Sequence, residues 1–391
     1  MWSFVKKKEN LFLKLLLLLY AVMLYMSISV GISYVMMVFS VLVLFLVPTY
    51  RLLDRTCTFL ILFSLSFALI LLAREPSIKI PLYIIAPVAF YVFGRHVTEK
   101  LSYKGMVEFI ILTILVFALN TYIITLFDVQ EVGLVNPYRR MGEFESADSA
   151  LAATLFGLNV SLGFVGLPAF FIKPPIKIRL YYLLLLSFAL SLLTVVHLIN
   201  RTGIVVFLMC SLILLFYSSN RQAARVIVVI AVLTIIIMSF IPSVHSFFKD
   251  VGEAYSAREE LDDVGVGTLG GRLDRWVDAF QRIFTNPFGW NEINNYYKYV
   301  HNMWLDIARR AGIIPFIFMV VASFVGTKKT LRLYRYKSNS LIALLIGLLA
   351  AMFTSALVEP VMDGFELYFY LMCMVWGIAA QYYSSIINNR Y

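Results

Sequence analysis

The chain has 391 residues, of which 61% are hydrophobic, 15% aromatic and only 14% charged. A water-soluble domain has nowhere to bury that much apolar surface, whereas a protein that crosses a bilayer many times shows it to lipid. The formal net charge of +10 would also suit a nucleic-acid binder. The basic residues, however, lie in short stretches between apolar runs, where they set membrane orientation, so nucleic acid is not an expected partner.

In chain order, twelve apolar runs are long enough to cross the hydrocarbon core as helices. Their expected limits are 10–28, 31–49, 57–73, 79–95, 106–127, 150–172, 180–199, 203–218, 226–242, 302–326, 341–358 and 366–384. The fold class this predicts is an all-α polytopic membrane protein, a single transmembrane domain over residues 1–391. Lys6, Lys7 and Lys8 precede the first run, no small-residue cleavage pattern follows it, and it reads as a retained helix. Cys57, Cys210 and Cys373 lie in separate apolar runs and read as packing residues, with neither a disulfide framework nor a metal site implied.

Charge alternation orients the chain. With Lys6–Lys8 inside, the inner connections hold Arg51 and Arg55; Arg95, Lys100 and Lys104; Lys173, Lys177 and Arg179; Arg221 and Arg225; and Lys328, Lys329, Arg332, Arg335 and Lys337. The short outer connections hold fewer cations, with Arg74 and Lys79 in one, Arg201 in another and none in 359–365. This asymmetry predicts cytoplasmic termini. The outer side then receives 128–149, the tight 199–203 connection, the long segment 243–301 and 359–365.

The 243–301 segment is too long for an idle connector. After a glycine-rich run ending at Gly270-Gly271, apolar residues recur at Leu273, Trp276, Val277, Phe280 and Phe284. That spacing predicts an amphipathic helix near 272–284 lying on the membrane, with Asp274, Asp278, Gln281 and Arg282 toward water. Arg272 and Arg275 fall in its first turn, where cations oppose the helix dipole. Two readings stay open for them: an anion held by guanidinium forks and free amides, or side chains reaching for lipid headgroups.

Arg201, in Asn200-Arg201-Thr202-Gly203, has no acidic residue within four positions and is either a headgroup anchor or part of a site. His197, one turn earlier, reads as a helix-packing residue. His301 begins the next helix, whose face continues through Leu305, Ala308 and Gly312 and which projects beyond the hydrocarbon. An imidazole there suits proton removal from a hydroxyl near neutral pH. Arg139 and Arg140 either contact substrate or balance Glu143, Glu145 and Asp148. Glu259, Glu260, Asp262 and Asp263 could bind a divalent cation but read as a solvated face.

Asn-Arg-Thr-Gly at 200–203, Gly-Arg-Leu-x-x-Trp at 271–276, Asn-Pro-Phe-Gly at 286–289 and His-Asn-x-x-Leu at 301–305 followed by Gly312 occur in that order. The set resembles the bacterial O-antigen polymerase and O-antigen ligase superfamily of inner-membrane glycosyltransferases. The chain departs from that pattern at Arg310, at Pro315, and at Trp290 and Asn291 after Gly289. The resemblance implies a GT-C-like fold and a polyprenyl-diphosphate-linked glycan donor such as an undecaprenyl diphosphate. It also implies inverting transfer at the periplasmic face, with neither metal nor cofactor. Carried over by motif, Arg201 and Arg272 bind the diphosphate and His301 is the catalytic base, with Arg275, Asn302, Arg139 and Arg140 as secondary substrate contacts. The expected activity is that of a polysaccharide polymerase, the acceptor being another lipid-linked repeat unit. Ligation of the same donor to lipid A core in lipopolysaccharide synthesis is the alternative, and a lipid-linked oligosaccharide flippase the second. A separate flippase and a chain-length regulator are the protein partners that the resemblance suggests. Charged residues are nearly absent from mid-span, Lys14 and Glu108 lying near cytoplasmic ends, which favours an enzyme over a transporter.

Overall fold

The computed structural model describes residues 2–29, 31–47, 53–136, 140–141, 151–166, 178–217, 249, 253, 272–290, 300–336 and 340–388. Nearly all of these are helical. The helices are α1 (Trp2–Tyr25), α2 (Ile32–Leu46), α3 (Arg55–Arg74), α4 (Ile80–Lys100), α5 (Tyr103–Val132), α6 (Ala153–Ser161), α7 (Ile178–His197) and α8 (Arg201–Tyr217). They continue with α9 (Arg272–Thr285), α10 (Met303–Ala311), α11 (Ile313–Leu333), α12 (Ser340–Val358) and α13 (Glu366–Asn388). A short antiparallel pair, β1 (Arg140–Met141) and β2 (Leu151–Ala152), sets Arg140 opposite Ala152. Six of the described helices, α3, α4, α5, α7, α11 and α12, are long and apolar enough to cross a membrane. The run expected at 226–242 and most of 243–301 lie outside the described residues.

The chain divides into two compact units. The first comprises Met1–Asn120, Arg275–Tyr336 and Ala356–Tyr391. Its centre is α4, which packs against α13, α2 and α3, while α11 closes on α3 and α13. Gly94 of α4 faces the Met374 carbonyl and Gly377 of α13 faces that of Tyr91, so neither position has room for a Cβ. Glycines at a crossing let two backbones touch, which is how helices gain dispersion energy where lipid removes the hydrophobic drive. Tyr20, Phe39, Phe90 and Phe93 fill the same core, with the Phe39 and Phe93 rings edge to face at 5.0 Å.

Polar residues of this unit gather at the two ends of its helices. At one end Asp54, the N-cap of α3, accepts from Lys329 Nζ at 2.7 Å and from Tyr91 Oη at 2.8 Å, with Arg95 Nη1 at 3.3 Å. At the other, Lys79 Nζ meets Glu366 at 2.8 Å, and Tyr83 donates to the same carboxylate at 3.2 Å. The Arg310 guanidinium lies over the Phe67 and Tyr83 rings there, 5.5 and 5.4 Å from their centroids. The 20 residues of α3 that separate the two ends rise about 30 Å, the thickness of a hydrocarbon core.

The second unit comprises Thr121–Asp274 and Lys337–Ser355. Its interior carries a seam of hydroxyls. Tyr122 Oη lies 2.8 Å from both Ser187 Oγ and Ser191 Oγ, Thr125 meets Thr194 at 3.0 Å, and Asn159 donates to Thr121 at 3.2 Å. These bonds tie α5, α6 and α7 together.

Candidate active site

The continuous span expected at 302–326 is two helices, α10 and α11, broken at Gly312. The break has a physical cause. Gly312 adopts φ +79°, and a Cβ there would meet the Pro287 carbonyl, which instead accepts the Ile313 amide at 3.0 Å. Asn286–Gly289 forms a turn docked into this corner, with Trp290 N–H donating to Arg309 O at 2.8 Å. Arg74 secures it by donating to Phe288 O at 2.7 Å and Arg310 O at 2.9 Å. Gly312 followed by Pro315 was the available signal, since proline is tolerated in a helix's first turn and poorly further in.

His301 does not begin α10 but stands just before it, in a left-handed conformation at φ +57°. A non-glycine residue there is uncommon and needs its surroundings to hold it. Asp306, fully buried, supplies the hold: its carboxylate accepts the Val300 amide at 2.9 Å and the Asn302 amide at 3.3 Å, one on each side of His301. Asn302, expected as a substrate contact, is the N-cap of α10. Its Oδ1 accepts from the Trp304 and Leu305 amides, both at 3.1 Å, and its Nδ2 donates to Leu357 O at 3.2 Å. Asparagine is a preferred residue at that position. The His301 ring remains a quarter exposed, and its Nδ1 lies 3.5 Å from Oε2 of Glu359, whose side chain is buried. Glu359 and Asp306 escaped sequence reasoning as parts of the site. Glu359 is 58 positions away, and Asp306 reads as an interruption of an apolar run.

Helix α9 presents three sectors. Arg272, Arg275, Trp276, Ala279 and Ile283 share one side by their spacing. Ala279 and Ile283 on that side are buried in an apolar cluster with Trp290, Val300, Leu305 and Ala308, and Trp276 packs against it. Leu273, Val277, Phe280 and Phe284 form a second stripe, 49–66% exposed. Asp274, Gln281 and the Asp278–Arg282 ion pair, at 2.9 Å, take the third. The single apolar face expected from the sequence is therefore split, because Trp276 turns to the protein while its neighbours stay outside. Arg272 and Arg275 are half-buried, one turn apart on the protein-facing side, away from the exposed apolar stripe.

Arg201 is the first residue of α8 and belongs to the second unit. Asn200 caps that helix by accepting the Gly203 amide at 2.8 Å. His197, at the end of α7, is fully buried, with Nε2 2.7 Å from Asp128 Oδ2 and Nδ1 3.1 Å from Leu134 O. Asn136 also donates to Asp128, so this histidine clasps the 128–136 segment to the turn that precedes Arg201.

The structure thus brings His301 together with Asn302, Asp306 and Glu359 in the first unit, and sets Arg272 one turn from Arg275 on α9. Arg139 and the 259–263 acidic group lie outside the described residues, and Arg140 is described only as backbone of β1. Among the described residues no three His, Cys, Asp or Glu side chains gather as metal ligands would. No family model matches the chain, and no curated protein matches it either.

Proposed function

We propose that the protein is a multi-pass glycosyltransferase of about twelve spans and GT-C-like fold. In this reading it resides in a bacterial inner membrane and acts as a polysaccharide polymerase at the periplasmic face. The single observation that carries this reading is the unusual presentation of His301: a partly exposed imidazole in a left-handed turn, backed by a buried carboxylate, in a chain rich in apolar helices. In the proposed reaction the imidazole takes the proton of an acceptor hydroxyl. The freed oxygen attacks the anomeric carbon, the bond to the diphosphate breaks with inversion, and its electron pair leaves on the polyprenyl diphosphate. Arg201 and Arg272 carry the departing charge, which guanidinium forks can do without a metal. Arg275 shares the side of α9 that Arg272 occupies and is a further phosphate contact in this scheme.

The test is transfer by the purified full-length protein in lipid nanodiscs, supplied with a polyprenyl-diphosphate-linked repeat unit. A polymerase lengthens it to a ladder of lipid-linked products. Transfer only when lipid A core is added identifies a ligase instead, and movement of the lipid across the bilayer without new glycosidic bonds identifies a flippase. His301→Ala is expected to abolish transfer while leaving donor binding intact, and near-normal turnover would remove the base assignment.

A further inference from the structure

The environment of His301 assigns roles to two acidic residues. We infer that Asp306 and Glu359 are positioning residues for this histidine, the first acting on its backbone and the second on its ring. The inference rests on the proposed reading of His301 as a base and deepens it.

Asp306 comes first in the chain of causes. A left-handed turn at a residue with a bulky ring costs free energy, and it persists only where other contacts determine it. The two amides that flank His301 both point to one carboxylate, at 2.9 and 3.3 Å. Asp306 sits one turn into α10 and fully buried, so it cannot follow the loop outward. Asn302 caps the same helix from the same turn. The arrangement is a capping box shifted by one residue, with the acidic partner one position beyond its usual place. Its effect is to project the residue just outside the helix, His301, in one fixed direction.

Glu359 then sets the ring. Its carboxylate oxygen lies 3.5 Å from Nδ1, longer than a hydrogen bond, and catalytic contacts of this kind often tighten only when substrate arrives. An imidazole whose Nδ1–H is directed at a carboxylate keeps the lone pair on Nε2 and stabilises the imidazolium formed when Nε2 takes a proton. Nε2 is therefore the atom that accepts the acceptor's proton. Glu359 is itself held by its chain neighbourhood: Leu357 O accepts from Asn302 Nδ2, and Glu359 O accepts the Val361 amide at 2.9 Å. The cap of α10 is thus joined to the end of α12, two residues before the carboxylate that faces the ring.

The experiment measures initial rates against donor concentration for the full-length protein in nanodiscs. Glu359→Gln is expected to lower kcat by about 10²-fold or more, as carboxylate-to-amide changes behind a catalytic histidine do, with donor KM within about twofold of wild type. Glu359→Asp, which keeps the charge, is expected to recover at least about tenfold over the glutamine variant. Asp306→Asn is expected to lower kcat by about tenfold or more, again with donor KM unchanged. Wild-type kcat in Glu359→Gln, equal rates for the Asp and Gln variants, or a loss confined to KM would each overturn the inference. Failure of the base assignment has a different signature, namely His301→Ala turning over normally.

Discussion

Asp54 offers a sharp test of how the first unit is held together. Its carboxylate caps α3 through the Cys57 amide at 3.1 Å and also receives Lys329 of α11 and Arg95 and Tyr91 of α4. Three helices therefore converge on one side chain that is 22% exposed. Replacing it by asparagine keeps the cap and removes the charge. Breaking a buried pair by deleting one partner costs about 3–5 kcal/mol, and partial exposure brings the expectation here to about 2 kcal/mol. Alanine removes the cap as well and is expected to cost about 1 kcal/mol more. Burial alone would raise the Asp54 pKa, but the Lys329 hydrogen bond, the Cys57 amide, the Lys329 charge and the Tyr91 hydroxyl together hold it below its ordinary 3.8. Because the folded value is the lower one, the stabilisation is complete above the unfolded pKa and is lost as pH falls toward the folded one. The assay is reversible unfolding in mixed micelles, run across pH for wild type, Asp54→Asn, Asp54→Ala, Lys329→Met and the Asp54→Asn/Lys329→Met pair. An asparagine variant within about 0.5 kcal/mol of wild type, or strict additivity with Lys329→Met, would refute the reasoning.

Three further outcomes are expected. Gly312→Ala places a Cβ against the Pro287 carbonyl at a positive φ, a conformation that alone costs an L-residue about 1–2 kcal/mol, so the same unfolding assay should register a loss at least that large. On the proposed function, Arg201→Lys and Arg272→Lys should each raise donor KM by about tenfold, since a point charge lacks the fork that spans two phosphate oxygens; donor titrations of transfer rate check this. Asp128→Asn removes the charged partner of His197 and should lower stability by about 1.5–3 kcal/mol, and a second change at His197 should add little to it.

Much of the helical framework was legible because apolar runs bounded by charges leave few alternatives to a helix. The run read as 57–73 is α3, and that read as 341–358 is α12. What escaped was decided by contacts distant in sequence. Gly312 breaks a helix because Pro287, 25 residues earlier, brings a carbonyl to it. Trp276 leaves the apolar stripe of α9 because it packs against the cluster that holds Trp290 and Leu305. His301 was singled out by its residue type and place, but the acids around it were not. A buried carboxylate looks, in one dimension, like any solvated one. His197 was read as a packing histidine, and its burial against Asp128 and Leu134 agrees with that reading.

The hydroxyl seam of the second unit has a consequence for how the protein is made. Tyr122 and Thr125 find their partners 65 to 69 residues further along, at Ser187, Ser191 and Thr194. Translation supplies residues in order, so α5 leaves the ribosome well before α7 exists to receive its hydrogen bonds. During that interval its hydroxyls must rest on their own backbone, as Thr125 does on Thr121 O at 2.9 Å, or remain near water at the insertion machinery. The seam of this half of the molecule can therefore close only after the later helix has been synthesised.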